Sequence, residues 1–517
     1  MNRKNSIRVF AVLIALCIAV GCTASGSTAT TEAVQTAEVT AETILATDNA
    51  AVEEADTTSD SSAEQAAAEL PPEGAPPENG GTPPDMPDGQ GGTPPDGNGG
   101  GFGGNTAPGG STSSFEYTAA TEITSADTQA DQTYASSTAD ESALIISTSD
   151  AVTITSPTVT KTGDSDGGDN CNFYGLNAAV LAKDGASVTI TGGTITSSAS
   201  GANGVFSYGG NGGSNGAAGD GTTVTISDTV ITTTGSGSGG IMTTGGGMTY
   251  ANDLIVTTSG QSSAPIRTDR GGGWVYVDGG TYTSNGLGSP AIYSTAEIHV
   301  ANATLVSNLS EGVCIEGKNS IELTNCDLTA NNTKCNGNAT FYDTIMIYQS
   351  MSGDADSGTS AFTMTGGTLT SKNGHVFHVT NTNAVITLNG VAIVNEDAEN
   401  VLLSVCADGW SGGSNIAALN AINQALSGTI LVGSDSTLTL NLSDGSTFTG
   451  TISGEITNAK GTVVSTAVGT VHVTLDSTST WTLSGDTYIS SFTGDAANVI
   501  SNGYTLYING VALTGTK

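Results

Sequence analysis

A short phrase of alternating apolar and polar residues, broken by a sharp corner, recurs along this chain of 517 residues. It reads SVTITGGTITSS at 187–198, TVTISDTVITTT at 223–234 and WVYVDGGTYTSN at 274–285. Period-two alternation makes each half of the phrase a β-strand. Gly, Asn and Ser at the corner tolerate the backbone of a tight bend. The chain is therefore expected to repeat strand, corner and strand many times.

The second apolar position of the phrase recurs about every 23 to 27 residues wherever no insertion intervenes. It is placed at Ile154, Ile190, Ile226, Tyr250, Val277, Val300, Leu323, Met364 and Leu388. The expected corner residues are Gly192, Ser227, Asn252, Gly279, Asn302, Asn325, Gly366 and Gly390. A further apolar stretch, such as GVFSYG at 204–209, follows each corner. Three strands per coil of about 24 residues describe a solenoid, whose coils bury their apolar stripes by stacking.

These coils resemble the right-handed parallel β-helix proteins, a fold shared by pectate-lyase-like enzymes and bacterial surface adhesins. The resemblance covers residues 142–405 and implies an all-β, right-handed parallel β-helix, with the handedness taken from the resemblance alone. Residues 406–517 keep the strand pattern without the tight period, so we expect further coils and a C-terminal cap there. One short helix in that region is suggested by the helical spacing of Ile416, Leu419, Ile422 and Leu426.

The N-terminus has the features of an export signal. A basic start and an apolar run from Val9 to Val20 lead through Gly21 to Cys22. Residues 1–21 thus resemble a bacterial lipoprotein signal peptide. The resemblance implies cleavage before Cys22, acylation of that cysteine, and an exported protein held by lipid to the bacterial cell envelope with its head domain extracellular. An ordinary signal peptide is the alternative.

Residues 22–141 are rich in Ala, Thr, Ser, Glu and Asp, and they include a Pro/Gly tract at 71–105. Such a composition buries too little apolar surface to offset its ordering entropy, which predicts a disordered acidic linker. The whole chain has a formal net charge of −37. That charge argues against nucleic acid and against docking on anionic lipid. We expect membrane contact through the lipid anchor only.

Alternation also predicts which side chains face outward. Trp274, Tyr276, His299 and Glu322 should lie side by side on successive coils, about 4.8 Å apart. Exposed aromatic rings flanked by hydrogen-bonding groups suit a sugar ring, which stacks on one and bonds to the other. We therefore expect a glycan-binding platform on these coils. Packing of the aromatic rings beneath an insertion loop is the alternative.

Two arginines stand out because basic residues are rare in this chain. Arg267 and Arg270, with Tyr293 on the following coil, extend the candidate glycan site. Their guanidinium groups could pair with the carboxylates of acidic sugars. Alternatively, they form ion pairs with Asp269 and Glu316.

A glycine-rich acidic loop is the one candidate metal site. The stretch TGDSDGGDN offers the hard oxygens of Asp164, Asp166, Asp169 and Asn170, which suit Ca²⁺. It lacks the closing Glu of an EF-hand loop. A solvated acidic turn is the alternative to a calcium site, and the sequence indicates no other cofactor.

No phosphate-binding loop, dinucleotide fingerprint, nucleophile elbow or zinc spacing is legible. NGHVFHV at 373–379 is the nearest match to the His motif of β-helix hydrolases, but their paired Asp and Arg-x-Lys motifs are missing. The sequence therefore favours a non-catalytic surface protein that acts in adhesion or binds a polysaccharide or a host cell-surface glycan. A polysaccharide lyase or glycoside hydrolase of the pectate-lyase-like superfamily is one alternative, and a structural surface spacer is another.

Overall fold

The computed structural model describes residues 115–165, 167–211 and 218–517. Within them the chain winds into coils; as far as β30 (Ala392–Asn395) each coil contributes one strand to each of three parallel sheets, so that strands three apart in sequence pair with one another, and the later coils contribute to two of these sheets. The predicted fold, an all-β, right-handed parallel β-helix, is confirmed. No helix in the described part of the chain has the length and hydropathy needed to cross a membrane.

Three long sheets run side by side along the described residues. Sheet 1 has 15 strands: β1 (Thr118–Ile123), β4 (Glu141–Ser147), β7 (Val180–Lys183), β10 (Val205–Tyr208), β13 (Ile241–Thr244), β16 (Ile266–Thr268), β19 (Ile292–Ser294), β22 (Val313–Glu316), β25 (Asp343–Tyr348), β28 (His375–Thr380), β31 (Val401–Val405), β33 (Ala425–Val432), β35 (Thr447–Ser453), β39 (Thr480–Leu483) and β42 (Val499–Ile500). Sheet 2 has 14: β2 (Asp127–Ala130), β5 (Ala151–Thr155), β8 (Ser187–Thr191), β11 (Thr223–Ser227), β14 (Gly247–Asn252), β17 (Gly273–Asp278), β20 (Glu297–Ala301), β23 (Ser320–Thr324), β26 (Thr359–Thr365), β29 (Thr382–Asn389), β32 (Asn415–Ile422), β34 (Ser436–Ser443), β38 (Thr470–Leu475) and β41 (Ser491–Thr493). Sheet 3 has 10: β3 (Thr133–Ser136), β6 (Thr158–Lys161), β9 (Thr194–Ser197), β12 (Val230–Thr233), β15 (Ile255–Thr258), β18 (Thr281–Ser284), β21 (Thr304–Ser307), β24 (Asp327–Ala330), β27 (Thr368–Ser371) and β30 (Ala392–Asn395).

Smaller elements decorate this frame. An antiparallel hairpin is formed by β36 (Glu455–Thr457) and β37 (Val463–Thr466), and a three-stranded sheet near the C-terminus by β40 (Thr487–Ile489), β43 (Leu506–Ile508) and β44 (Val511–Ala512). The helical segments are α1 (Asp169–Phe173) and a 3₁₀ turn (Ala496–Asn498).

The core is a continuous column of inward side chains. In β8, Val188 and Ile190 are buried while the residues between and beside them are exposed, as period-two alternation requires. Ile190 pairs with Ile154 on one side and with Ile226 on the other. Like residues therefore stack on like residues from coil to coil, and this stacking keeps each strand in register.

The corners between sheets 2 and 3 have left-handed backbone, as predicted from their Gly and Asn residues. Gly192 has a φ of 68° and Asn302 a φ of 54°. Each corner N–H also donates to the next coil, as Gly192 N does to Ser227 O at 2.9 Å. The corner thus turns the chain and continues the hydrogen-bond ladder.

One coil was aligned wrongly by a single residue. Thr225 pairs with Tyr250 and Ile226 with Ala251, so Ala251 is the inward residue and Tyr250 points outward. The left-handed corner residue of this coil is accordingly Asp253 and not Asn252; in the preceding coil, where Ile226 is inward as predicted, the corner residue is Asp228 and not Ser227. A one-residue slip exchanges the two faces of a strand, because successive side chains alternate.

The β-helix differs from the prediction at both of its ends. Residues 118–136, which were predicted to belong to the linker, form the first coil, β1 to β3. The short helix predicted from the spacing of residues 416–426 is wrong, because β32 and β33 occupy that stretch. Sheets 1 and 2 continue through these residues, whereas sheet 3 ends at β30. The predicted signal peptide, Cys22 and most of the linker lie outside the described residues.

Candidate functional site

A column of outward side chains on sheet 2 contains the aromatic residues predicted from sequence and one that was missed. Parallel pairing places Tyr250, Tyr276, His299 and Glu322 next to one another on β14, β17, β20 and β23. The prediction that Tyr276, His299 and Glu322 are neighbours is therefore consistent with the pairing of these strands. Tyr250 extends the column by one coil, and 36% of its surface is exposed.

The rings of this column stack face to face along the axis of the β-helix. The ring centroids of Tyr250 and Tyr276 lie 5.2 Å apart with planes 11° from parallel, and those of Tyr276 and His299 lie 5.1 Å apart at 10°. These separations are close to the spacing between coils, so the β-helix itself sets the stacking distance. The rings are consequently held as a row, with their edges toward solvent.

His299 is fixed by two carboxylates. Its Nε2 lies 2.7 Å from Glu297 Oε1, on the same strand, and its Nδ1 lies 3.1 Å from Glu322 Oε2, on the next coil. A carboxylate only accepts hydrogen bonds, so both contacts form together when both ring nitrogens carry a proton. The imidazole side chain is 33% exposed, which leaves it accessible to a ligand beside the stack.

A shallow groove of about 270 Å³ runs alongside this column. Tyr250, Tyr276, His299 and Glu322 form one side, and Asn252, Asp278 and Thr324 lie along the other. The small side chain of Ala301, which lies between Asp278 and Thr324 in the pairing, leaves room at the floor. The groove thus combines aromatic edges with carboxylate, imidazole, amide and hydroxyl groups.

Trp274 occupies a neighbouring column and does not line this groove. It pairs with Met248 on one side and Glu297 on the other, and it is half-buried. The outward position predicted for Trp274 agrees with its place two residues before Tyr276 on β17. The groove itself is formed by Tyr276 and the residues that follow it toward the corner.

Arg267 and Tyr293 lie on sheet 1, away from the stacked column, and both are buried. Arg267 Nη2 forms an ion pair with Asp269 Oδ2 at 2.7 Å, and its Nη1 donates to Ser262 O at 3.1 Å. Burial raises the pKa of Asp269 to about 7, although the neighbouring Arg267 opposes that shift. Tyr293 donates through its hydroxyl to Glu316 Oε2. The pair with Asp269 agrees with the ion-pair alternative considered from sequence, whereas Glu316, the other partner expected there, accepts from hydroxyl groups and is in none of the ion pairs of the described residues.

Arg270 is more exposed but is also engaged within the fold. Its Nη2 lies 2.6 Å from Asp354 Oδ1, and its guanidinium carbon lies 4.1 Å from the centre of the Phe173 ring. With one carboxylate and one ring already in contact, Arg270 is placed to hold the loop that carries Asp354.

The predicted calcium loop is described only in part. Asp164 Oδ1 accepts from Ser200 N at 2.8 Å, and Asp169 opens α1 together with Asn170. Burial raises the pKa of Asp169. Asp166 lies outside the described residues. Within residues 115–165, 167–211 and 218–517, no three His, Cys, Asp or Glu side chains gather into a metal-binding group.

A second, wider groove of about 740 Å³ lies among the loops at 349–358, 381–383 and 411–414. Its lining is mostly Gly, Ser and Asn, with no aromatic ring. Asp356, its one acidic residue, is already paired with Lys318 at 2.9 Å. It therefore offers less than the stacked column for binding a ligand.

The two histidines of NGHVFHV are buried beneath the loop formed by residues 331–342, here called the cover loop. His375 Nδ1 and His378 Nδ1 each lie 2.7 Å from Ser404 Oγ, and His378 Nε2 is 3.4 Å from Asp408 Oδ2. Asp408 accepts from the backbone N–H and the hydroxyl of Thr340 in the cover loop. Serine, histidine and aspartate meet here, but the side chains of His378 and Asp408 are inaccessible to solvent. The cluster fastens the cover loop to sheet 1.

No family model, curated protein or solved structure matches this chain.

Proposed function

We propose that this protein is a non-catalytic, lipid-anchored bacterial surface protein whose β-helix binds glycan along the stacked column of sheet 2. The observation that carries the proposal is the row formed by Tyr250, Tyr276 and His299 beside the groove. On the preceding coils, the outward positions of β8 and β11 are all Thr or Ser, which offer little stacking area. The column is therefore the distinctive chemistry of this face.

Sugar rings present an apolar C–H face and a rim of hydroxyl groups. The tyrosine and histidine edges supply apolar contact, while Asp278 and Glu322 supply acceptors for hydroxyl groups. The groove volume of about 270 Å³ is just below the range for small-molecule pockets, about 300–1,000 Å³. A site this shallow fits one unit of a longer chain that extends beyond it.

The charges around the groove indicate which class of glycan it would bind. Glu297, Glu322 and Asp278 are acidic, and His299 is the one basic group in the groove lining. Of the arginines that could have paired with acidic sugars, Arg267 is buried on sheet 1, and Arg270 lies in the turn after β16, where it is paired with Asp354. Neutral or amino sugars are therefore the favoured ligands, since uronic or sialic acids would meet like charge.

Placement at the cell surface is supported by sequence. The lipoprotein-like residues 1–21, Cys22 and the acidic linker together would tether the β-helix outside the membrane. Burial of several acyl chains at about 0.8 kcal/mol per CH₂ makes such an anchor stable.

Affinity electrophoresis of the full chain through gels containing a neutral polysaccharide or chitosan tests this proposal. The Tyr276→Ala variant should lose at least about tenfold in affinity, the equivalent of about 1.4 kcal/mol. Tyr488→Ala is the matched control, because Tyr488 also stacks on a tyrosine, Tyr507, with centroids 4.7 Å apart, but lies in the small C-terminal sheet. Equal retention of wild type and Tyr276→Ala on every polysaccharide would favour the spacer alternative.

The same gels distinguish binding from turnover. Each polysaccharide that retains the protein, and a polyuronate for the lyase alternative, is incubated with the protein, and new reducing ends or unsaturated uronate products are measured. A non-catalytic protein releases neither, whereas release that tracks the wild-type protein would favour the lyase or hydrolase alternative.

A further inference from the structure

Two acidic side chains lie buried side by side beneath the cover loop. Glu311 and Asp343 are each 1% exposed. Val313 pairs with Ile345, so Glu311 and Asp343, each two residues earlier, are neighbours on consecutive coils. The bond from Gly312 N to Thr344 O, 2.8 Å, continues the same pairing between them. The two carboxyl groups therefore share one dry environment on sheet 1.

Among the described residues, neither carboxyl group of this pair forms an ion pair, and His375, which lies beside Asp343 on the next coil, bonds through Nδ1 to Ser404 Oγ. Burial raises the pKa of Glu311, and burial together with the charges of Glu311 and Asp408 raises the pKa of Asp343 well above its usual range. The ion pairs found among the described residues do not include either carboxylate. Two uncompensated carboxylates are costly to bury, so either a proton or a cation must neutralise them.

Three oxygens at this place have no hydrogen-bond donor within the described residues. They are Glu311 Oε1, Asp343 Oδ1 and Asn332 Oδ1, and Asn332 is itself 1% exposed. The other polar atoms of the cluster are engaged: Ser310 Oγ donates to Glu311 Oε2, and Asn332 Nδ2 donates to Asp343 O at 3.3 Å. The Asn332 side chain therefore bonds to the backbone of Asp343 and also interacts with the Glu311 carboxyl group, while its Oδ1 has no hydrogen-bond partner among the described residues.

We propose that Glu311, Asp343 and Asn332 bind one Ca²⁺ beneath the cover loop. Two carboxylates balance the charge of a divalent cation, and an amide carbonyl is a usual calcium ligand. Calcium takes six to eight oxygens, so backbone carbonyls or water would complete the shell. The set has only two acidic members, which is why it does not form a group of three His, Cys, Asp or Glu side chains.

The neighbouring thiols do not add to this oxygen set. Within the described residues, no three His, Cys, Asp or Glu side chains gather into one metal-binding group, and Cys335 Sγ donates to Phe341 O at 3.4 Å. Carboxylate and amide oxygens are hard ligands, so the set favours calcium.

A cation here would join three separate segments. Glu311 precedes β22, Asn332 lies in the cover loop, and Asp343 begins β25. Binding would fix the cover loop against sheet 1 at its N-terminal end, while Asp408 and Thr340 fix it at the other end. This site is distinct from the loop at 162–170 that the sequence suggested.

The test uses the full chain purified without chelator and dialysed against metal-free buffer. Mass spectrometry of the metal content should find about one calcium per chain, and EDTA should lower the midpoint of thermal unfolding until calcium chloride is restored. The isosteric variants Asp343→Asn and Glu311→Gln should lose both the calcium and the response to EDTA.

Asp164→Asn is the matched control, since it removes a carboxylate from the other candidate loop and should leave calcium content unchanged. Loss of calcium in Asp164→Asn but not in Asp343→Asn would overturn the proposal. Absence of calcium from wild type, with no effect of EDTA or calcium chloride on unfolding, would also overturn it and assign a shared proton to the pair. If a variant fails to fold, the calcium content of the wild-type protein and the response of its unfolding to EDTA still test the proposal.

Discussion

Tyr250 and Tyr276 stack face to face on consecutive coils, with centroids 5.2 Å apart and planes 11° from parallel. Each ring therefore covers one face of the other, and a ligand beside them meets mainly ring edges and hydroxyl groups. This arrangement differs from the flat platform expected from sequence, in which rings lie open to stacking. We therefore expect a bound glycan to contact the groove side of Tyr276 and not Trp274.

Trp274→Ala and Tyr276→Ala should therefore differ. Tyr276→Ala removes a ring that lines the groove, and we expect a loss of about tenfold or more in glycan affinity. Trp274→Ala should change affinity by less than about threefold, since Trp274 does not line the groove. Affinity electrophoresis of both variants, with thermal unfolding as a check on folding, measures the contrast. A larger loss in Trp274→Ala would place the binding site on its column instead.

Substitutions at the Gly192 corner distinguish the cost of backbone strain from the cost of a steric clash. A Cβ added at Gly192 would meet Ser156 Oγ at 3.5 Å, an ordinary contact, so the φ of 68° is the main obstacle. Gly192→Val should cost about 1–3 kcal/mol, whereas Gly192→Asn should cost less, because Asn302 and Asn325 adopt this backbone in other coils. At Gly193 a Cβ would lie 2.2 Å from Pro157 O, so Gly193→Ala should also destabilise. Midpoints of thermal unfolding give the order, and equal midpoints for the Asn and Val variants would contradict it.

His375 should make the fold sensitive to mild acid. Burial, assisted by the neighbouring His378, lowers the pKa of His375 to about 3. An unfolded histidine has a pKa of about 6.5, so its contribution is complete above that pH and is lost as pH falls toward 3. The slope should approach about 1.4 kcal/mol per pH unit.

Thermal unfolding of wild type and His375→Gln from pH 7 to pH 4 measures this effect, and the variant should show the flatter dependence. His472→Gln is the control, because His472 is exposed and contacts Ser491 Oγ at 2.7 Å. The same pH dependence in all three proteins would show that His375 does not govern it.

Cys22→Ala should release the protein from the membrane fraction. The lipoprotein-like sequence before Cys22 makes that residue the expected site of acylation. Cys17→Ala is the matched control, since Cys17 lies within the signal and would be removed with it. Fractionation followed by detergent extraction measures the result, and a membrane-bound Cys22→Ala protein would contradict the anchor.

The strand and corner pattern was sufficient to predict the β-helix, because alternation and left-handed corners are local properties. It failed where local signals conflict. In GMTYAN, the pattern predicts Tyr250 as the inward residue, yet Ala251 stacks between Ile226 and Val277. The Asp253 corner was the signal that could have corrected the register. The apolar residues at 416–426 also have helical spacing, but they lie in strands β32 and β33, whose side chains alternate between buried and more exposed positions.

The buried cluster beneath the cover loop could not be predicted from spacing. Glu311, Asn332 and Asp343 belong to different coils, and an insertion brings Asn332 over the other two. No short motif contains them. Only the strand register, which places Val313 beside Ile345, shows that Glu311 and Asp343 are neighbours.

The parallel pairing of coils has a mechanical consequence. In such a stack the backbone hydrogen bonds between paired strands point along the helix axis, and each strand of the three long sheets pairs only with strands of the adjacent coils. Tension applied at the N-terminal end would therefore act first on the pairs β1–β4, β2–β5 and β3–β6, and it would peel one strand at a time instead of shearing many together. The first coil, whose β1 and β2 side chains are largely exposed, would yield before the cores behind it. Such a molecule would lengthen stepwise under load while its later coils keep their shape.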